Sequence, residues 1–184
     1  MNRWRNDCGR TVAVLSAALL LAGCSMTSAL VRDRPAVAPE FRVDADDRVT
    51  VVVDALPDVV ITADERARCA ATVGERVLRA AADTLADGTS REWRLAVHIG
   101  RYDHGNAFKR SVRAGMGAMH IESRVEMFAA DGSRVGEFAA DRTYDWGGTL
   151  GGLATIDDLE KMLGDLIGRR IVSQERPKPV KSMR

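Results

Sequence analysis

Residues 93–100 read Trp93-Arg94-Leu95-Ala96-Val97-His98-Ile99-Gly100, and residues 119–127 read Met119-His120-Ile121-Glu122-Ser123-Arg124-Val125-Glu126-Met127. In the first run Trp93, Leu95, Val97 and Ile99 share one side; in the second Met119, Ile121, Val125 and Met127 do. That is the period of a β-strand with one covered and one wet face. Asp131-Gly132 is a hairpin signal leading into a third strand, expected from about Arg134 to Trp146. Three successive strands of this kind form an antiparallel meander.

Outward from this meander the pattern changes. Arg48 to Ala55 holds the β-branched run Thr50-Val51-Val52-Val53, a strand that could be buried on both faces, and Val59-Val60-Ile61 offers a short extension beyond Leu56-Pro57-Asp58. Thr62 and Glu65 have the spacing of a capping box. Ala70, Val73, Val77, Leu78, Ala81 and Leu85 then mark one face of a helix expected from about Asp64 to Ala86, with Asp87-Gly88 as its stop. After the meander, Gly147-Gly148 and Gly151-Gly152 loosen the chain before a second helix capped by Thr155, with Ile156, Leu159, Leu163, Leu166, Ile167 and Ile171 as its apolar stripe. Gly164 and Gly168 each cost about 1 kcal/mol of helix propensity relative to alanine. This helix therefore depends on packing, and its glycines could admit close approach to the sheet. The order strand, helix, three strands, helix is α+β. The expected fold is a two-layer sandwich, an antiparallel-rich sheet with both helices on one face. The face carrying Glu122, Arg124 and Glu126 stays solvated.

The first residues have a different logic. Arg3, Arg5 and Arg10 precede an apolar run from Thr11 to Leu21, followed by Ala22, Gly23 and Cys24. This is a charged region, an apolar region and a small-residue cleavage site. The run is about half the roughly 20 residues a membrane-spanning helix needs. Leu21-Ala22-Gly23-Cys24 resembles the lipobox of bacterial lipoproteins, in place of an ordinary secretory signal with an incidental cysteine. That resemblance implies diacylglycerol on the Cys24 sulfur, further acylation such as palmitate, and cleavage before Cys24. Ser25, lacking the aspartate associated with inner-membrane retention, implies an outer-membrane anchor with the domain facing the periplasm. Two or more acyl chains give stable anchoring where one is marginal. The expected organisation is a signal peptide over 1–23, a lipidated flexible tether over 24–47, one domain over 48–175 and a disordered tail over 176–184.

Composition narrows the partners. The chain has 27 Lys and Arg against 26 Asp and Glu. Removal of the signal takes Arg3, Arg5, Arg10 and Asp7, so the mature chain stays near neutral. The large positive field that drives nucleic-acid binding is missing. Of the three cysteines, Cys8 leaves with the signal and Cys24 takes lipid. Cys69, among Ala67, Ala70 and Ala71, reads as a small buried hydrophobe.

The stretch from Gly100 to Gly117 is too long for a common hairpin loop, and such loops are often functional. Lys109, Arg110 and Arg113, with flanking glycines, could cradle an anion. No Gly-Lys-Ser/Thr ending supports a phosphate loop, so a cationic interaction surface is the stronger reading. Phe108 and Met116 would be its apolar anchors. His98, His104 and His120 follow no metal spacing, although His98 and His120 could approach each other on adjacent strands. Asp141, Asp145, Asp157 and Asp158 form no acid–base pair at a readable spacing, and Ser111 and Ser123 lack a Gly-x-Ser-x-Gly frame. No catalytic residue, cofactor or metal is expected.

Gly100-Arg101-Tyr102-Asp103, Gly105-Asn106, Lys109-Arg110, Gly115-Met116-Gly117-Ala118, the alternating strand, Asp131-Gly132 and Gly147-Gly148 together resemble bacterial lipoproteins carrying the domain of unknown function numbered 4410. Arg113-Ala114 and Asp131-Gly132-Ser133 depart from that family's usual pattern. The family has no established activity, so the resemblance implies no catalytic residues. The function expected is a non-catalytic periplasmic accessory that binds an envelope protein or itself. The alternative is a module for a small anionic ligand or peptidoglycan.

Overall fold

A computed structural model describes residues 36–84, 86, 88–113, 116–147 and 152–172. The expected signal peptide, Cys24, most of the tether and the tail from Arg176 lie outside the described residues, as does Leu85. Four strands, β1 (Arg48–Ala55), β2 (Glu92–Asp103), β3 (Met119–Phe128) and β4 (Arg134–Tyr144), lie side by side in that order. Helix α1 (Ala63–Ala81) joins β1 to β2, the short α2 (Ala107–Val112) lies between β2 and β3, and α3 (Ile156–Ile171) follows β4.

The α+β class and the β2–β3–β4 meander are as expected, but the sheet is mixed. β1 pairs parallel with β2, Val51 opposite Leu95, because an intervening helix returns the chain to the starting edge before β2 begins. β1 is therefore an edge strand. Its Val49, Val51 and Val53 face the core while Val52 is 48% exposed, so the expected burial of both faces does not occur. Val59-Val60-Ile61 adds no strand, and Val60 is exposed.

The alternation read from β2 and β3 holds in space. Trp93, Leu95, Val97 and Ile99, with Met119, Ile121, Val125 and Met127, are buried beneath α1 and α3. Phe138 and Ala140 complete that face from β4. α1 is opened by the Thr62–Glu65 capping box, with the Glu65 N–H donating to Thr62 Oγ1 at 3.2 Å and the Thr62 N–H to Glu65 Oε2 at 2.8 Å. It ends at Ala81, short of the expected Ala86, where Thr84 donates its hydroxyl to the Ala81 carbonyl at 2.7 Å and turns the chain. α3 begins after Thr155, whose N–H and hydroxyl both donate to Asp158 Oδ2.

The two glycines of α3 meet the other helix, not the sheet. A Cβ on Gly164 would stand 2.8 Å from Arg76 Cβ and 3.2 Å from Val73 Cα, and one on Gly168 would stand 3.1 Å from Ala80 Cβ. α1 and α3 are thus in backbone-close contact, with the aspartate of an Arg76–Asp165 ion pair alongside.

The domain starts before Arg48, which corrects the tether boundary. Val37 bridges to Gly136 of β4, Val43 bridges to Val172, and the Ala36 N–H donates to Arg170 O at 2.8 Å. Asp47, fully buried at its side chain, ties this arm down. It accepts from the Arg91 backbone N–H (2.9 Å), the Arg91 guanidinium (2.9 and 3.1 Å) and Trp93 Nε1 (2.8 Å). Arg91 also donates to Asp44 (2.7 Å) and to the carbonyls of Arg42 and Glu40. Burial pushes the Asp47 carboxyl up, but the bonds from Arg91, Trp93 and Asp44 outweigh it and hold it below the usual carboxylate range.

A carboxyl depressed by folding stabilises the native state above its unfolded pKa and loses that contribution as pH falls through the folded value. Urea titrations should therefore show wild-type stability falling as pH drops below about 4. The Asp47→Asn variant should be less stable at pH 7 by about 1.5 to 3 kcal/mol, because the bonds from Arg91 and Trp93 lose a charged acceptor while Asp44 still holds the guanidinium. It should also lose stability less steeply in acid.

Candidate functional site

The sheet gives the domain two poles. β1, β2 and β4 end, and β3 begins, at one of them, where α1 and α3 also start; this distal pole carries α2 and the stretch singled out in the sequence. Asn106 caps α2, its side-chain oxygen accepting from the Lys109 N–H at 2.9 Å. The Asn106 N–H donates to the Gly117 carbonyl at 2.9 Å and closes the loop at its base. Gly105 (φ +63°) and Gly117 (φ +69°) occupy the left-handed region. A side chain at Gly105 would strike the carbonyls of Gly117 and Ala118, so this crossing needs glycine on both counts.

Arg110 is not a surface cation. It is 2% exposed and donates to the carbonyls of Gly117 (2.9 Å), Ala154 (3.0 Å) and His104 (3.3 Å). The expected basic surface loses its middle member because three carbonyls left outside regular structure need a donor, and a guanidinium supplies several. The anion cradle is filled from within as well: the Lys109, Arg110 and Arg113 N–H groups bond to Asn106 Oδ1, Asn106 O and Lys109 O.

The other expected members do face solvent. Phe108 is 77% exposed and Met116 45%, and Lys109 and Arg113 are exposed beside them. Val112, at 70%, and Leu153, at 71%, join this surface without having been singled out. Leu153 is held there by Gly152, where an added Cβ would stand 3.0 Å from Ser111 Cβ. The result is an apolar, basic-edged knob on a stapled loop.

Behind it lies a polar cluster that the sequence reading missed. Glu160 on α3 is fully buried, accepts from Tyr102 Oη at 2.6 Å and is gripped by the Arg68 guanidinium at 3.2 and 3.3 Å. Arg68 also reaches Asp157 at 3.0 Å, and His104 Nε2 lies 3.0 Å from Glu65. Burial and then the Glu160 bond push the Tyr102 phenol above its ordinary range, while the Glu160 bond holds the Arg68 guanidinium firmly charged. Burial, reinforced by the Glu160 charge, pushes the Cys69 thiol up to about 12, so it is a buried hydrophobe and no nucleophile. A glutamate in an apolar helical stripe could have flagged this site; its partners could not be read, because Arg68 and Tyr102 are distant in sequence.

The histidines stay apart. His98 lies opposite Arg124 and His120 opposite Asp103, four residues apart along β3. His98 meets Asp54 at 2.6 Å, and His120 meets Glu122 at 3.0 Å and Thr143 at 2.8 Å. Ser123 donates its hydroxyl to the Ala140 carbonyl at 2.6 Å. On this open face a shallow concavity of about 300 Å³ lies over Gly100, edged by Leu56, His98, Glu122, Arg124 and Asp141. Among the described residues no group of three or more His, Cys, Asp and Glu side chains could hold a metal ion.

No family model matches the chain, so membership in the domain family numbered 4410 is not established. No curated protein matches it either. Solved structures give distant likenesses. The PelC dodecamer of Paraburkholderia phytofirmans overlaps at TM-score 0.47 with 9% identity, covering 70% of this chain and 90% of that one. A Xanthomonas campestris protein of the domain family numbered 330 overlaps at 0.40 with 15% identity, covering 73% and 88%. A candidate lipoprotein of Caulobacter crescentus overlaps at 0.35 with 15% identity, covering 66% and 83%. Overlap at this level fixes neither assembly nor location for the present chain.

If Arg110 staples the distal pole, Arg110→Met takes its donors from the Ala154 and His104 carbonyls and leaves Gly117 O with the Asn106 N–H alone. Stability should fall by about 1.5 to 3 kcal/mol, the range for bonds to a charged group. Hydrogen exchange should quicken over residues 104–118 while the amides of β2 and β3 keep their protection.

Proposed function

We propose that this chain is a lipid-anchored protein of the bacterial envelope, held in the outer membrane through Cys24. In this reading its domain binds a second envelope protein, or another copy of itself, through the distal pole and performs no chemistry. The observation that carries the binding role is the knob: Phe108 and Val112 stand in solvent on a loop stapled by a buried arginine, and Leu153 stands in solvent on the segment that leads into α3. Several large apolar side chains exposed at one pole of a domain are a mark of an interaction surface. A buried anchor surrounded by a polar rim is the usual anatomy of such contacts, and Lys109 and Arg113 supply the rim.

The anchoring role is supported by the sequence, where charged residues, a short apolar run and Leu21-Ala22-Gly23-Cys24 follow in order. The anionic-ligand alternative is weakened, since Arg110 and the α2 amides are engaged within the fold.

Metabolic labelling with an alkyne fatty acid should tag the wild type and leave Cys24→Ser untagged and released from the membrane fraction; label retained by that variant would remove the anchor assignment. In the membrane-anchored protein, in-cell crosslinking from Lys109 should yield a defined adduct that the Phe108→Asp, Val112→Asp double variant loses by at least about tenfold, equivalent to about 1.4 kcal/mol of binding. Thermal unfolding of that variant should stay near the wild-type midpoint, because both side chains are exposed. An undiminished adduct would place the contact elsewhere.

A further inference from the structure

The edge strand β1 has one side unused. The Arg48 N–H donates to Arg91 O at 2.8 Å and the Leu56 N–H to Ile99 O at 3.0 Å, so Arg48, Thr50, Val52 and Asp54 turn their backbone groups toward β2. Val49, Val51 and Val53 turn theirs outward. Among the described residues no strand or bridge pairs with that side. Nothing blunts it either: β1 has no lysine, proline or bulge, and its two charges, Arg48 and Asp54, stand toward its ends. The opposite edge, β4, is closed at its start by the Val37 bridge to Gly136 and carries Glu137, Asp141 and Arg142.

This edge is complementary to itself. When two copies of β1 meet antiparallel about a two-fold axis at Val51, Val49 stands opposite Val53 of the second copy, and the outward N–H and C=O groups of all three valines find partners. In the same register Arg48 opposes Asp54 at both ends, and Thr50 opposes Val52 on the open face. Shifting by two residues either way sets Arg48 against Val52 or Leu56 and loses both ion pairs. The helix above leaves room for the approach. α1 meets α3 through Val73, Arg76, Val77 and Ala80, so the helical period puts Ala67, Ala70, Ala71, Gly74 and Leu78 on the flank beyond β1. That flank is small and uncharged, and its Leu78 is 43% exposed. Beneath it Val49, Val51 and Val53 pack on the core yet stay only half-buried.

We infer that two copies of this chain pair through β1, joining their sheets into one continuous sheet with the α1 flanks packed across the axis. The occupant is a second copy because the strand, read backward, supplies an acid for Arg48 and a base for Asp54. Pairing buries the half-exposed valines and satisfies the free backbone edge, which otherwise invites unspecific strand addition. The contact lies along the side of the sheet and not at the distal pole, so it is independent of the binding role proposed for Phe108 and Val112.

The test is oxidative crosslinking of the full chain in cells carrying Thr50→Cys and Val52→Cys together. Opposed residues whose backbone groups turn away from each other have Cα atoms about 4.5 Å apart, within the roughly 4.4–6.8 Å that a disulfide spans. A thiol oxidant should give a covalent dimer on a non-reducing gel that the wild type, with Cys8, Cys24 and Cys69, does not give. Adding Arg48→Asp sets like charges opposite each other at both ends and should cut the dimer about tenfold. Adding Asp54→Arg as well should restore it, and that recovery shows that the substituted chains fold. Phe108→Asp with Val112→Asp should leave the dimer in place, whereas the Lys109 adduct reports on the distal pole alone. Absence of the covalent dimer, a dimer indifferent to Arg48→Asp or not recovered by the charge swap, or its loss with the Phe108 and Val112 substitutions would overturn the proposal. So would equal crosslinking of Val52→Cys alone, whose sulfurs meet only in a shifted register.

Discussion

A four-stranded sheet with one apolar face must have that face covered, and here two helices do it together. Their side-by-side fit depends on Gly164 and Gly168, which let α3 approach Arg76, Val77 and Ala80 of α1 at backbone distance. With larger side chains the helices would part, and Leu95, Ile99, Ile121 and Met127 would lose the cover that keeps them dry. The helix-propensity cost of two glycines, about 1 kcal/mol each, is small against the burial of several such side chains at about 1.5 to 3 kcal/mol each. The same closeness lets Arg68 of α1 meet Glu160 of α3, whose side chain at zero exposure is satisfied by a guanidinium and a phenol.

From that packing the two poles follow. Both helices start at the end where β2 and β4 finish, so the α2 loop is fastened to the α3 entry through Arg110 and Ala154, and the α1 entry meets it through Glu65 and His104. At the other end the N-terminal arm is sewn to β4, to the α3 exit and to Arg91. Polar residues close both ends by internal bonding, and the open sheet face is laced by ion pairs such as Arg134–Glu126 and Arg101–Glu122. Among the described residues the distal end leaves Phe108, Val112, Met116 and Leu153 exposed beside Lys109 and Arg113, the surface on which the proposed binding role rests.

The sequence was legible wherever a property is local. Strand alternation in β2 and β3, the Thr62–Glu65 box, the Asp131-Gly132 turn and the stripe of α3 all depend on residues within a few positions of one another, and each is found where its period or spacing puts it. The lipobox resemblance is local in the same sense. Phe108 and Met116 were legible as exposed, because apolar residues in a glycine-bounded loop have no period to carry them into the core.

Tertiary structure alone decided what required distant residues to meet. Arg110 looked like Lys109 and Arg113 in sequence, and only the arrival of the Gly117 and Ala154 carbonyls made it a buried staple. The parallel pairing of β1, the role of Gly164 and Gly168 at the helix contact, the inclusion of residues 36–47 in the domain and the Glu160 cluster have the same origin. Periodicity tells a side chain which face to occupy; it does not say what will stand opposite, and a charge at the surface and a charge in the core differ only in that neighbour.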